Sequence, residues 1–170
     1  RLTRGLQGAV VEFGSLYGGS GAVFAESLIQ YGIRDLFLCD TFSGIPTCKY
    51  GLDLSWNDSF ADNSFAEVSD IFKDLDFVNV IKGDVFETSS QFTTPLSLVY
   101  VGTDTFGSAE HLIESLWPRV EIGGLIHVCD YGSYPNCLPL TAYCDDFEKK
   151  NDDVLAIRTS NFGIFFQKNH

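Results

Sequence analysis

Apolar residues fall in short runs that alternate with stretches of helical periodicity. The first run, Ala9 to Val11, has the length and branching of a buried strand; it ends at Glu12 and passes into the turn Gly14-Ser15-Leu16-Tyr17-Gly18-Gly19. From Ser20 to Tyr31, Phe24 and Leu28, and Ala25 and Ile29, are spaced four apart, which predicts a helix. Further strand runs lie at 35–40, 78–84, 96–101 and 123–131. Helical stretches separate them at 64–75, with Ser64 as N-cap, at 108–117, stopped by Pro118, and up to Asn151. Leu112, Ile113, Leu116 and Trp117 form the buried face of the second of these. Two last runs, 154–159 and 162–167, flank Ser160-Asn161, which predicts an antiparallel hairpin with a two-residue linker. The alternation predicts an α/β fold: a doubly wound, mostly parallel Rossmann-like sheet closed by that hairpin, in a single domain over 1–170.

In such a sheet ligands bind at the carboxyl ends of the strands. Glu12, Asp40, Asp84, Asp104 and Asp130 all fall there. Strand, glycine turn and helix together point free backbone N–H groups at a ligand, and Gly14, Gly18 and Gly19 admit a close approach. The spacing is not G-x-G-x-x-G, which argues against a dinucleotide. Asp40, one βαβ step on, is placed to accept from ribose hydroxyls, and Asp84 from an adenine amino group. The polar stretch from Thr47 to Asn63 is too long for a plain loop and reads as a lid or substrate loop with Trp56 and Phe60 as apolar anchors. His127 reads as a core histidine and His111 as a helix-edge residue.

Net charge changes the picture by exclusion. With 23 acids against 11 bases, a charge of -12 repels a nucleic-acid backbone or an anionic membrane surface. No apolar run approaches a membrane span, and Arg1-Leu2-Thr3-Arg4 has no signal core, so a cytoplasmic setting is expected. The chain has no Met, so its start is read as truncated; oligomeric state, a homo-oligomer included, is left open. Five cysteines without a C-x-x-C pair suggest neither zinc nor a disulfide framework, and reduced thiols are expected.

The chain from Gly8 to Lys168 resembles the macrocin O-methyltransferase family, enzymes that methylate sugar hydroxyls. Val11-Glu12-Phe13-Gly14 with Gly18-Gly19-Ser20 and, above all, Asp40-Thr41-Phe42-Ser43-Gly44-Ile45-Pro46 carry the likeness. Lys82-Gly83, Glu87-Thr88, Leu116-Trp117-Pro118-Arg119, Gly123-Gly124, Asp130-Tyr131 and Cys137 extend it. The resemblance implies a class I S-adenosylmethionine (SAM) methyltransferase. Glu12, Gly14, Gly18, Gly19 and Ser20 would hold the methionine end, Asp40 the ribose, and Gly83, Asp84 and Val85 would border the adenine, with Thr41 a further cofactor-binding residue. The family's fourth strand ends in D-G-D-x-Y-x-S-T and its fifth in Asp-Asp-Tyr, three of whose acids hold magnesium. Here those stretches read Gly102-Thr103-Asp104-Thr105-Phe106-Gly107-Ser108-Ala109 and Cys129-Asp130-Tyr131, so Gly102 and Cys129 replace two ligands. Asp130 and Asp104 are left as the candidates for metal ligation and, in that order, for the base, with His127 a further candidate base if it reaches the cavity.

The leading expectation is a SAM-dependent O-methyltransferase acting on a hydroxylated small molecule, sugar-containing ones included. A SAM-binding protein without catalysis and a nicotinamide-dependent oxidoreductase are the alternatives.

Overall fold

The structure, a computed structural model, describes residues 3, 5–46, 48 and 51–170. Seven strands form one sheet: β1 (Ala9–Phe13), β2 (Leu36–Asp40), β3 (Val78–Lys82), β4 (Leu96–Val101), β5 (Val120–Cys129), β6 (Val154–Thr159) and β7 (Gly163–Lys168). Their order is β3-β2-β1-β4-β5-β7-β6. The first five run parallel, and β7 lies antiparallel between β5 and β6. The chain moves outward from β1 to β3 and then returns to place β4 on the other side of β1. That reversal opens a crevice beyond the carboxyl ends of β1 and β4, where such sheets take ligands.

Helices α1 (Gly19–Tyr31) and α2 (Phe65–Phe72) supply one layer; Ala25, Leu28, Val68 and Phe72 pack on Val10, Leu36 and Leu38. On the other side α3 (Val85–Thr88), α4 (Phe106–Leu116) and α5 (Leu138–Lys150) cover β1, β4, β5 and β7. Leu112, Ile113, Leu116 and Trp117 are buried there as their spacing predicts. Burying side chains of this size contributes roughly 1.5–3 kcal/mol each, which fixes α4 and the turn that precedes it. Ser64 caps α2, its hydroxyl accepting from the Glu67 N–H. Among the described residues no helix is long and apolar enough to cross a membrane, and the five cysteines are free thiols.

Three boundaries depart from the pattern. Thr159 pairs with Gly163, so the hairpin linker is Ser160-Asn161-Phe162, three residues rather than two, with Phe162 at φ 54°. Strand β5 begins at Val120 rather than Gly123: its register with β4 jumps from Leu96–Val120 to Leu98–Leu125, and Gly123 at φ 84° turns within the irregularity. Gly-Gly therefore marks a bulge inside a strand. Helix α4 starts at Phe106, two residues before the expected Ser108, because a distant side chain caps it.

Candidate active site

At the end of β1 two backbones nearly touch. The Gly102 N–H donates to Phe13 O (2.9 Å), and a Cβ on Gly14, whose φ is 89°, would stand 2.1 Å from Gly102 O. Only glycine is accommodated at position 14. Gly18, at φ 80°, is the N-cap of α1 and packs on Phe72 and Val68. The first turn of α1 has neither a side-chain cap nor an acid, so the Gly19, Ser20 and Gly21 amides have no partner inside the helix.

Asp40 ends β2 and ties that turn to its neighbours. One of its oxygens accepts from Leu16 N–H (2.8 Å); the other accepts from Phe42 N–H (2.9 Å) and Asn63 Nδ2 (3.3 Å). Asn63 also donates to Leu16 O (3.4 Å). A carboxylate offers about four acceptor positions, so roughly one remains on Asp40. Asp84 is the N-cap of α3, accepting from Phe86 N–H (3.0 Å).

A cavity of about 250 Å³ lies over the switch between β1 and β4. Of the residues the sequence singles out, Gly14, Asp40 and Thr41 line it, Gly83, Asp84 and Val85 line it beside them on the β3 side, where the Gly83 N–H donates to Asp40 O (2.9 Å), and Asp104 reaches it from β4. Glu12, Gly18, Gly19, Ser20 and Asp130 are not in its lining. The lining also contains Phe60, from the expected lid or substrate loop, and residues given no site role from the sequence: Leu16, Asn63, Thr103 and Ser108. Phe60 does not anchor the lid loop by burial as expected, for it is 42% exposed.

Glu12 sits directly behind this lining, fully buried, with neither carboxylate oxygen hydrogen-bonded in the geometry of the structure. The hydroxyls of Ser20 and Ser15 are close enough to favour its charged form, but burial dominates and pushes its pKa from 4.5 up to about 7. A buried carboxylate without a partner is costly unless something cationic comes to meet it.

Asp104 and Asp130 face each other although their strands are separate. Both have left-handed backbones (φ 60° and 62°), which a non-glycine residue adopts at a cost. Burial, then the charge of Asp130 and a hydrogen bond to it, raise Asp104 from 3.8 to about 7. Asp104 therefore carries a proton for much of the time near neutral pH, held toward the Asp130 side chain. Ser133 donates to Asp130 from the other side (3.3 Å).

The neighbouring positions are not acidic. Beside Gly102, an added Cβ would lie 3.1 Å from the Tyr100 ring. Tyr100 is hydrogen-bonded to Cys129, whose thiol burial pushes up to about 11. His127 lies between Tyr100 and Phe165 (ring centroids 5.0 and 4.2 Å), 3.8 Å from Cys129 Sγ through Nδ1. Burial lowers its pKa to about 4, so it is neutral and packed, as the strand pattern suggests.

A mixed sheet with its ligand crevice at this switch point, an acid beneath the glycine turn and Asp104 in the cavity lining, paired with Asp130, define a class I methyltransferase. The O-methyltransferase NovP matches 96% of this chain and 72% of its own (TM-score 0.81, 24% identity). The calicheamicin methyltransferase CalS11 matches 98% and 74% (TM-score 0.78, 20% identity). The S-adenosylhomocysteine-bound methyltransferase PaMTH1 of Podospora anserina matches 95% and 72% (TM-score 0.63, 14% identity). At these identities the likeness establishes the fold. No curated protein matches the chain by sequence. The family model for macrocin-O-methyltransferase (TylF) matches residues 2–168, and the chain belongs to that family. It is a SAM-dependent O-methyltransferase.

Proposed function

We propose that the chain methylates a hydroxyl of a small molecule, sugar-containing acceptors among them, at the Asp104–Asp130 pair and without magnesium. The observation that carries this reading is the pair itself: two carboxyl groups on strained turns, hydrogen-bonded to each other, with Asp104 in the lining of the cavity.

SAM supplies, when bound, an electrophilic methyl on a sulfonium that leaves without needing a proton. The residues present fit it. The orphaned carboxylate of Glu12 answers the positive methionine end, and the free amides of α1 answer its carboxylate. The remaining acceptor position of Asp40 takes one ribose hydroxyl, with Thr41 beside it. Gly83, Asp84 and Val85 border the cavity on the β3 side, where the adenine would lie.

Magnesium does not fit. It needs near-octahedral oxygen ligands, whereas Gly102 offers no side chain and the Cys129 thiol stays protonated and engaged by Tyr100. Among the described residues no group of three or more His, Cys, Asp or Glu is placed to hold a metal. The carboxylate pair is instead left to work as an acid–base unit. Its ionised member orients the acceptor hydroxyl and takes its proton as the oxygen forms the bond to methyl; the proton then passes to solvent.

Transfer of labelled methyl from SAM to a panel of hydroxylated small molecules, run in excess chelator, tests this. Activity should persist with chelator and rise with pH through about 7, the range to which Asp104 is raised. D104N and D130N should each lower the rate by roughly 10²–10⁴-fold, the contribution of a positioned base, with SAM affinity within a few-fold of wild type. Activity abolished by chelator and restored by magnesium would contradict the metal-free reading.

A further inference from the structure

Residues 51–60 cross the carboxyl edge of the sheet between two attachments. On the β2 side Ile45 N–H donates to Ser59 O (2.9 Å), across Gly44, whose φ is 85° and whose added Cβ would stand 2.7 Å from that same oxygen. On the β4 side the carboxylate of Asp53 closes on the start of α4: one oxygen accepts from Phe106 N–H (2.9 Å) and the other from Gly107 N–H (3.0 Å). Asp53 is buried. Phe60, the residue after Ser59, faces the cavity and stacks on Trp56 (6.2 Å). Asp58 and Phe60 are both left-handed (φ 61° and 59°), a strain that only surrounding contacts sustain.

The helix has no cap of its own. Thr105, its N-cap residue, makes no side-chain bond to the helix amides, its hydroxyl donating instead to Ser108. An anion at a helix N-terminus is favourable, and here the anion comes from the segment across the cavity. The capped amides follow Asp104 by two and three residues.

We propose that Asp53 is a positioning residue that latches the 51–60 segment over the cofactor cavity and, through the same two hydrogen bonds, holds the turn bearing Asp104. The inference rests on the cavity's being the SAM site. If Asp53 were a helix cap alone, its loss would loosen α4 and leave ligand residence unchanged. If it is a latch, residence time changes most.

The probe is S-adenosylhomocysteine, with dissociation followed by stopped flow and backbone protection by amide hydrogen exchange. In D53A the Phe106 and Gly107 amides should lose protection, and S-adenosylhomocysteine should leave at least about tenfold faster with little change in its association rate. D53N, which keeps one acceptor oxygen, should fall between. Deprotected amides with an unchanged dissociation rate in D53A overturn the latch. Should D53A fail to fold, D53N carries the comparison: about threefold faster release supports the latch, and wild-type release overturns it. Failure of the wild type to bind S-adenosylhomocysteine would instead overturn the cofactor reading on which the latch depends.

Discussion

At pH 8 the ligand-free E12Q variant should unfold at a higher temperature than the wild type, and the difference should vanish near pH 4. Folding raises the Glu12 carboxyl from 4.5 to about 7, so between these values the folded chain binds more protons than the unfolded one. Stability from this group is then fully present below pH 4.5 and is lost as pH rises through about 7. At about 1.4 kcal/mol per pH unit the loss reaches about 3 kcal/mol, or roughly 6–12 °C for a chain of this size. Glutamine carries no charge to desolvate and escapes it. Asp104 shifts in the same direction in both proteins and cancels from the comparison. Saturating SAM should reverse the order at pH 8, because only the carboxylate answers a cation. Differential scanning calorimetry across this pH range checks both halves, and a parallel pH dependence in the two proteins would refute the assignment of the shift to Glu12. The carboxylate is thus a stability cost in the empty protein that cofactor binding offsets.

The second large effect is expected at Gly14. G14A must hold alanine at a φ of 89° with its Cβ 2.1 Å from Gly102 O. The left-handed backbone costs roughly 1–2 kcal/mol and the overlap roughly 1–3 kcal/mol more. A total of about 2–5 kcal/mol is a large share of the roughly 5–15 kcal/mol that stabilises a typical domain. Because the overlap separates β1 from β4, SAM binding should fall with stability. G19A is the control: its Cβ would meet nothing within 4 Å, so its stability should stay within about 0.5 kcal/mol of wild type, as at an ordinary surface position. Urea unfolding of the two variants distinguishes a required close approach from a merely flexible turn. Equal midpoints would show that β1 and β4 are not so close.

These effects mark how far the sequence could be read. Periodicity located all seven strands, giving β4 and β6 their observed boundaries: parallel strands buried on both faces, such as β1 and β4, leave nearly unbroken apolar runs, and the antiparallel edge strand β6 alternates in burial. It misplaced the start of β5 and the hairpin linker, where a bulge at Gly123 and a left-handed Phe162 interrupt the pattern. The acids at strand ends were visible one by one, and Asp40, Asp84 and Asp104 do meet at the cavity. That Asp104 and Asp130 would be hydrogen-bonded to each other depends on two turns bending toward each other, which strand spacing does not encode. Asp53 was hidden for a related reason. Its partners lie 53 and 54 residues away, and an aspartate in a polar loop resembles any solvated acid. Nor could the sequence show that α4 lacks a cap of its own, since Thr103-Asp104-Thr105 offers local capping residues, although Thr105 makes no cap hydrogen bond.

The account turns on a site that binds SAM and does so without a metal. Isothermal titration of SAM into chelator-treated protein, with and without millimolar magnesium, tests it most directly. One SAM should bind per chain with the same affinity in both conditions, with no heat when magnesium is titrated into the SAM-saturated protein. SAM binding that appears only with magnesium, or stoichiometric binding of the ion itself, would contradict it.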